Sequence, residues 1–132
     1  MLTTTLALVM CAALAWLMIM TPTIIRLKLW TLGGFKLASG NRELLPEGRP
    51  WVGRAERASR NMLENMILFI ALVAAVHFAG KTGPRADLGA TIFFWARFAY
   101  WLAYFAGIPY LRTTLWSTGV VGMLLIGLAA IA

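Results

Sequence analysis

The chain is poor in charge, in cysteine and in histidine. Only 13% of its 132 residues are charged and only five are acidic, whereas a soluble domain carries about 25% charged residues. That deficit excludes an ordinary water-exposed surface. Cys11 is the one cysteine, so no intrachain disulfide can form. It lies in an apolar run, where it reads as a small buried or lipid-facing side chain. His77 is the one histidine. No His, Cys, Asp and Glu stand at metal-ligand spacing, and no metal site is expected. No basic stretch precedes the first apolar run, the run is too long for a secretory leader, and no small-x-small site follows it. It is expected to stay in the membrane rather than be cleaved away.

What the chain does have is apolar length. Apolar residues make up 61% of it, and its mean hydropathy is +0.77. A bilayer core of about 30 Å needs about 20 such residues in a helix. The uncharged run from Leu2 to Ile25 meets this, with Pro22 loosening its last turn. The segment from Arg26 to Trp51 is rich in glycine, proline and charge and reads as loop and turn. A second helix starts in water near Val52 and enters the membrane about two turns later. Short turns at Gly80 to Pro84 and Ile108 to Tyr110 bound the third run, which Arg97 interrupts. The last run holds Gly119, Gly122 and Gly127, read as small residues that let helices approach. The expected fold is an all-α integral membrane protein. It forms one domain over 1–132, a four-transmembrane-helix bundle with helices at about 2–25, 52–79, 86–107 and 112–131.

The net charge of +7 does not point to nucleic acid, because the cations are not spread over a face. Arg26, Lys28, Lys36, Arg42, Arg49, Arg54, Arg57 and Arg60 crowd beside one span, eight of the twelve basic residues. That is what the positive-inside rule produces, reinforced by anionic headgroups. The first and third loops are therefore expected in the cytoplasm and both termini on the other side, with an inner bacterial membrane as the location. Membrane lipid is the expected surrounding partner, and no nucleic-acid partner is expected.

Two helical faces carry chemistry. Arg57, Arg60, Asn61 and Glu64 stand at i, i+3, i+4 and i+7 and share one side of the second helix. A polar stripe entering lipid is costly unless it meets protein or a wet cavity. The plainer alternative is an ion-pair set that anchors the helix end. Arg97, Tyr100, Trp101 and Tyr104 repeat the spacing on the third helix. Arg97 needs a carboxylate, a carbonyl or water, and Glu64 is the acidic residue placed to serve it. The tyrosines can also be read as an aromatic interface belt. Arg112, beyond Pro109, can fold back toward the same cavity. The combined set suits a small, anionic, peptide-like ligand. Arginine forks bind carboxylates at two points, and an arginine beside a thiol favours the thiolate.

These residues resemble a known family. The stretch Arg54-Ala-Glu-Arg57-Ala-Ser-Arg60-Asn61-Met-Leu-Glu64-Asn65-Met-Ile-Leu-Phe69 is similar to the second-helix signature of the MAPEG family, membrane-associated proteins in eicosanoid and glutathione metabolism that include microsomal glutathione transferases. The stretch Ala96-Arg97-Phe-Ala-Tyr100-Trp-Leu-Ala-Tyr104-Phe-Ala-Gly-Ile-Pro109-Tyr-Leu-Arg112 resembles the family's third helix and the loop after it. The chain departs from the pattern at Ile67 and Leu68, where many members have proline, and at Ser59, where members often have His or Gln.

The resemblance implies a homotrimer with active sites between subunits, open toward the cytoplasmic leaflet. It implies glutathione as co-substrate, held by Arg57, Arg60, Asn61, Glu64, Tyr100 and Tyr104, with Arg26 reaching in from the neighbouring subunit. Arg112 matches the arginine that stabilises the glutathione thiolate, and Arg97 matches one that is partly structural. The implied activity is a membrane-bound transferase or peroxidase acting on hydrophobic small-molecule electrophiles. The alternative is a non-catalytic MAPEG-like subunit within a larger membrane complex.

Overall fold

A computed structural model describes residues 1–41 and 45–132. Arg42, counted above with the basic first loop, lies outside the described residues. Among the described residues there are five helices and no strand. They are α1 (Thr4–Leu27), α2 (Leu32–Ser39), α3 (Pro50–Phe78), α4 (Pro84–Ala106) and α5 (Pro109–Ile131).

The boundaries follow from local chemistry. The Thr3 side chain caps α1 by accepting from the Leu6 amide at 3.2 Å. The helix runs on through Pro22 and ends where Lys28 takes a left-handed conformation, φ 49°. Proline stands at the first helical position of α3, α4 and α5. There its missing N–H costs nothing, because that donor has no partner inside the helix. Gly107, φ 72°, closes α4 with the left-handed residue that glycine adopts freely. Gly107 and Ile108 alone separate α4 from α5, so α5 begins at Pro109, ahead of the expected 112, and Arg112 sits in its first turn.

The segment read as loop from Arg26 to Trp51 is partly helical. The Thr31 hydroxyl accepts from the Gly34 amide at 3.0 Å and starts α2. Gly34 is required there rather than disruptive, since a Cβ would collide with the carbonyls of Leu27 and Lys28. Sequence patterning registers glycine as a breaker and misses this close approach.

α1, α3 and α5 are each long and apolar enough to cross a membrane. α4 has the length, but Arg97 together with Tyr100, Trp101 and Tyr104 lowers its apolar character. α4 and α5 form the most intimate helix pair. Gly89 and Gly122 make this contact, for a Cβ on Gly89 would stand 2.5 Å from the Gly122 carbonyl oxygen. In lipid, where apolar burial gives no advantage over the solvent, such close backbone approach is what holds helices together.

The common core lies between α1, α3, α4 and α5. It contains Cys11, Met18, Met62, Phe69 and Phe93, all essentially inaccessible. The rings of Phe69 and Phe93 stack with centroids 4.2 Å apart. At one end Asp87 accepts from the Thr4 amide at 2.7 Å and Thr91 accepts from the Leu2 amide at 2.8 Å. These bonds tie the start of α1 to the start of α4. At the other end Arg26 meets Glu56 at 3.0 Å, and Arg54 Nε donates to the Tyr104 carbonyl at 3.2 Å. The end of α1, the start of α3, the end of α4 and the start of α5 therefore gather at this second end.

Candidate functional site

The site is built around one buried cation. Arg97 is 1% exposed. Its Nη1 donates to Asn61 Oδ1 at 3.0 Å and its Nη2 to Asn65 Oδ1 at 2.9 Å. Asn65 Nδ2 in turn donates to the Asn61 carbonyl at 2.8 Å, which fixes the orientation of the second amide. The guanidinium also lies 5.1 Å from the ring centre of Phe93 and 5.6 Å from that of Tyr100. Electron-rich ring faces stabilise a desolvated cation. Gly119 leaves room on the α5 side, since a Cβ there would be 3.1 Å from Nη2.

This corrects the expected Arg97–Glu64 pairing. Glu64 is exposed on the outer side of α3, while Asn61 and Asn65, one turn apart, face inward. Two neutral oxygens therefore accept from Nη1 and Nη2 where one carboxylate was expected, and the buried Nε has no hydrogen-bond partner among the described residues. Asn65 had no assigned role in the sequence reading. Its spacing of four from Asn61 was the available signal.

Beside this network a cleft of about 400 Å³ opens between α3, α4 and α5. It is lined by Asn61, Tyr100, Tyr104, Pro109, Arg112, Thr113 and Trp116. Its volume falls in the roughly 300–1,000 Å³ range of small-molecule sites. The Arg112 guanidinium stands 4.6 Å over the ring centre of Tyr104, and the rings of Tyr100 and Tyr104 are 5.2 Å apart. The cleft therefore offers one cation, one amide, two phenols and the Thr113 hydroxyl on the polar side. The indole of Trp116 forms an apolar wall.

Of the residues singled out in the sequence, Asn61, Tyr100, Tyr104 and Arg112 come together here. Arg57, Arg60 and Glu64 do not line this cleft, and all three are exposed. Their spacing allows mutual ion pairs, but the ion pair among the described residues joins Arg26 to Glu56 instead. Arg26 is thus engaged at the end of α1, outside the cleft. The sequence reading missed Thr113 and Trp116. Both fall within the helix expected at 112–131, and their spacing of one and four from Arg112 was the available signal.

Ser59, one of the departures from the family pattern, is buried and donates to the Glu56 carbonyl at 2.9 Å. α3 runs unbroken past Ile67 and Leu68, the other departure. Among the described residues no group of His, Cys, Asp and Glu is placed to hold a metal ion.

No curated protein and no solved structure matches the chain. A family model does match, over residues 3–132, and it is that of the MAPEG family. Essentially the whole chain is covered, and its apolar helices are those of an integral membrane protein. The chain belongs to the MAPEG family.

Proposed function

We propose that this protein is a membrane-bound, glutathione-dependent transferase or peroxidase acting on hydrophobic electrophiles that partition into the bilayer. The observation that carries the reading is Arg112, held over the Tyr104 ring in a cleft it shares with Asn61 and Tyr100. Bound glutathione supplies the thiol whose sulfur attacks the electrophile. Arg112 places a fixed positive charge where that sulfur becomes anionic. Asn61 and the hydroxyls of Tyr100 and Tyr104 orient the peptide-like part of the ligand through hydrogen bonds. Trp116 supplies an apolar surface for the electrophile.

We further propose four spans, with α4 as the fourth, and a homotrimer. Arg97 is buried inside the bundle with both terminal nitrogens paired to asparagine oxygens, so α4 need not present the charge to lipid. The exposed Arg57, Arg60 and Glu64 suit a site completed by a neighbouring subunit, whose Arg26 region would face them. An apolar groove between α3 and α5, lined by residues including Leu68, Leu72, Val120 and Leu124, suits helix packing between subunits. The crowding of cations at the cleft end favours a site open to the cytoplasmic leaflet. The non-catalytic alternative draws on Arg26, Arg57, Arg60 and Glu64 lying outside the cleft of a single chain.

Calorimetry on the purified protein tests the central claim. Glutathione is expected to bind, and no detectable binding at millimolar glutathione would sink the enzymatic reading. Recovery from native membranes in a stoichiometric complex, without glutathione binding, would favour the non-catalytic one.

A further inference from the structure

The short helix α2 has no place in the catalytic reading, and its outward face is unusual. Trp30, just before it, is 66% exposed, Leu32 is 85% exposed and Phe35 is 64% exposed. Among the described elements α2 packs against α1 alone. Its attachment is nonetheless specific. Lys28 reverses the chain in the left-handed conformation, and Gly34 sits so close to the carbonyls of Leu27 and Lys28 that a side chain would not fit. α2 is thus pinned at the level where the α1 span ends. Leu32 and Phe35 are one turn apart and share a side of the helix. Lys28 and Lys36, both exposed, bracket these residues in the chain. The arginines that open α3 stand at the same end, as the contact between Arg26 and Glu56 shows.

We infer that Trp30 and α2 form an interfacial element that lies in the headgroup layer of an anionic leaflet. Leu32 and Phe35 enter the acyl boundary, Trp30 sits at the interface, and Lys28 and Lys36 contact lipid phosphates. Two observations select lipid as the occupant. The face is continuous with the end of a membrane span, where the interface must pass. Its composition, aromatic and aliphatic residues bracketed by lysines, is that of helices lying in the membrane plane. Lysine stems can follow the apolar surface while their ammonium groups reach the phosphates. The element would fix the depth and tilt of α1 and hold the start of α3 at the membrane surface. The inference is independent of which ligand the cleft takes.

The test uses the full chain in nanodiscs of zwitterionic phospholipid, with and without an added anionic phospholipid. Nitroxide labels are placed in turn through Leu32→Cys, Phe35→Cys and, as a reference in the following segment, Asn41→Cys; the buried Cys11 stays unlabelled. The ratio of oxygen to water-soluble nickel-chelate accessibility is expected to be several-fold higher at 32 and 35 than at 41. It is expected to rise when anionic lipid is present, and Lys28→Gln combined with Lys36→Gln should remove that rise. A ratio at 32 and 35 equal to that at 41 overturns the inference. So does shielding from both reagents that persists in detergent, which would mean that a protein surface covers the helix. Indifference to anionic lipid overturns the phosphate contacts. A second readout leaves α2 unaltered: quenching by brominated lipid should fall between the wild type and Trp30→Phe, and equal quenching counts against the inference.

Discussion

Arg97 Nη1 donates to Asn61 Oδ1 at 3.0 Å, and that single bond determines what Asn61 can offer to the cleft it lines. Arginine is a donor only, so the amide oxygen must face it. The Asn61 amino group is left as the part of the side chain free to bind a ligand, and it can only donate. Arg97 therefore acts on the site without lining it.

Replacing Asn61 with Asp separates these roles. The carboxylate keeps an acceptor for Arg97, so thermal stability in detergent should be retained. The donor to the ligand is lost. Glutathione binding is expected to weaken at least about fivefold, the equivalent of one hydrogen bond of about 1 kcal/mol. Unchanged affinity by calorimetry would mean that Asn61 serves Arg97 alone.

Asn65→Leu removes an acceptor from a guanidinium that is 1% exposed. Leaving Nη2 unpaired in the core should cost about 1.5–3 kcal/mol, seen as a lower melting temperature. Asn65→Asp should recover most of it. If Asn65→Leu is as stable as the wild type, the network is not what holds α3 to α4.

Arg112 tests the chemistry. Arg112→Ala is expected to reduce conjugation of a chromogenic electrophile by on the order of 10²-fold, as for loss of one charge-stabilising donor, with the oligomer intact by size-exclusion chromatography. Arg112→Lys should recover part of the rate through its charge. Wild-type turnover in Arg112→Ala would remove Arg112 from the role proposed for it.

A site shared between subunits predicts complementation. Arg57→Ala and Arg112→Ala subunits, each expected to be strongly impaired in homogeneous assemblies, should regain part of the activity when co-assembled, because some interfaces then carry both arginines. Mixtures that stay inactive would argue that one chain supplies the whole site.

The α4–α5 seam can be tested with glycine. Gly122→Ala would set a Cβ 2.6 Å from the Gly89 carbonyl oxygen and 2.8 Å from the Phe93 amide. Both are backbone atoms that cannot turn aside. A destabilisation of about 1–3 kcal/mol is expected, against no loss for Gly33→Ala, where nothing lies within 4 Å. Equal melting temperatures for the two variants would count against tight packing at this seam.

Much of this protein was legible in its residues. Apolar runs free of charge mark membrane helices because lipid tolerates neither bare backbone nor unpaired charge. The spacing of Asn61, Tyr100 and Tyr104 marked two polar faces for the same reason. The pairing across those faces was not legible. Glu64 and Asn65 are neighbours in sequence and both can accept from Arg97, yet only Asn65 points inward. That choice depends on the rotation of α3 about its own axis, which packing against α1 and α4 sets. α2 was hidden because its two glycines read as breakers, while the need for Gly34 arises only where the chain folds back on Leu27 and Lys28. The cleft wall from Thr113 to Trp116 depended likewise on how α5 is turned against α3 and α4. By itself, then, the sequence determined that the chain is helical, apolar enough for a membrane and polar along two stripes, because those properties are local. Which atoms of the stripes meet was decided by tertiary packing, because helix rotation and close glycine contacts are properties of neighbours.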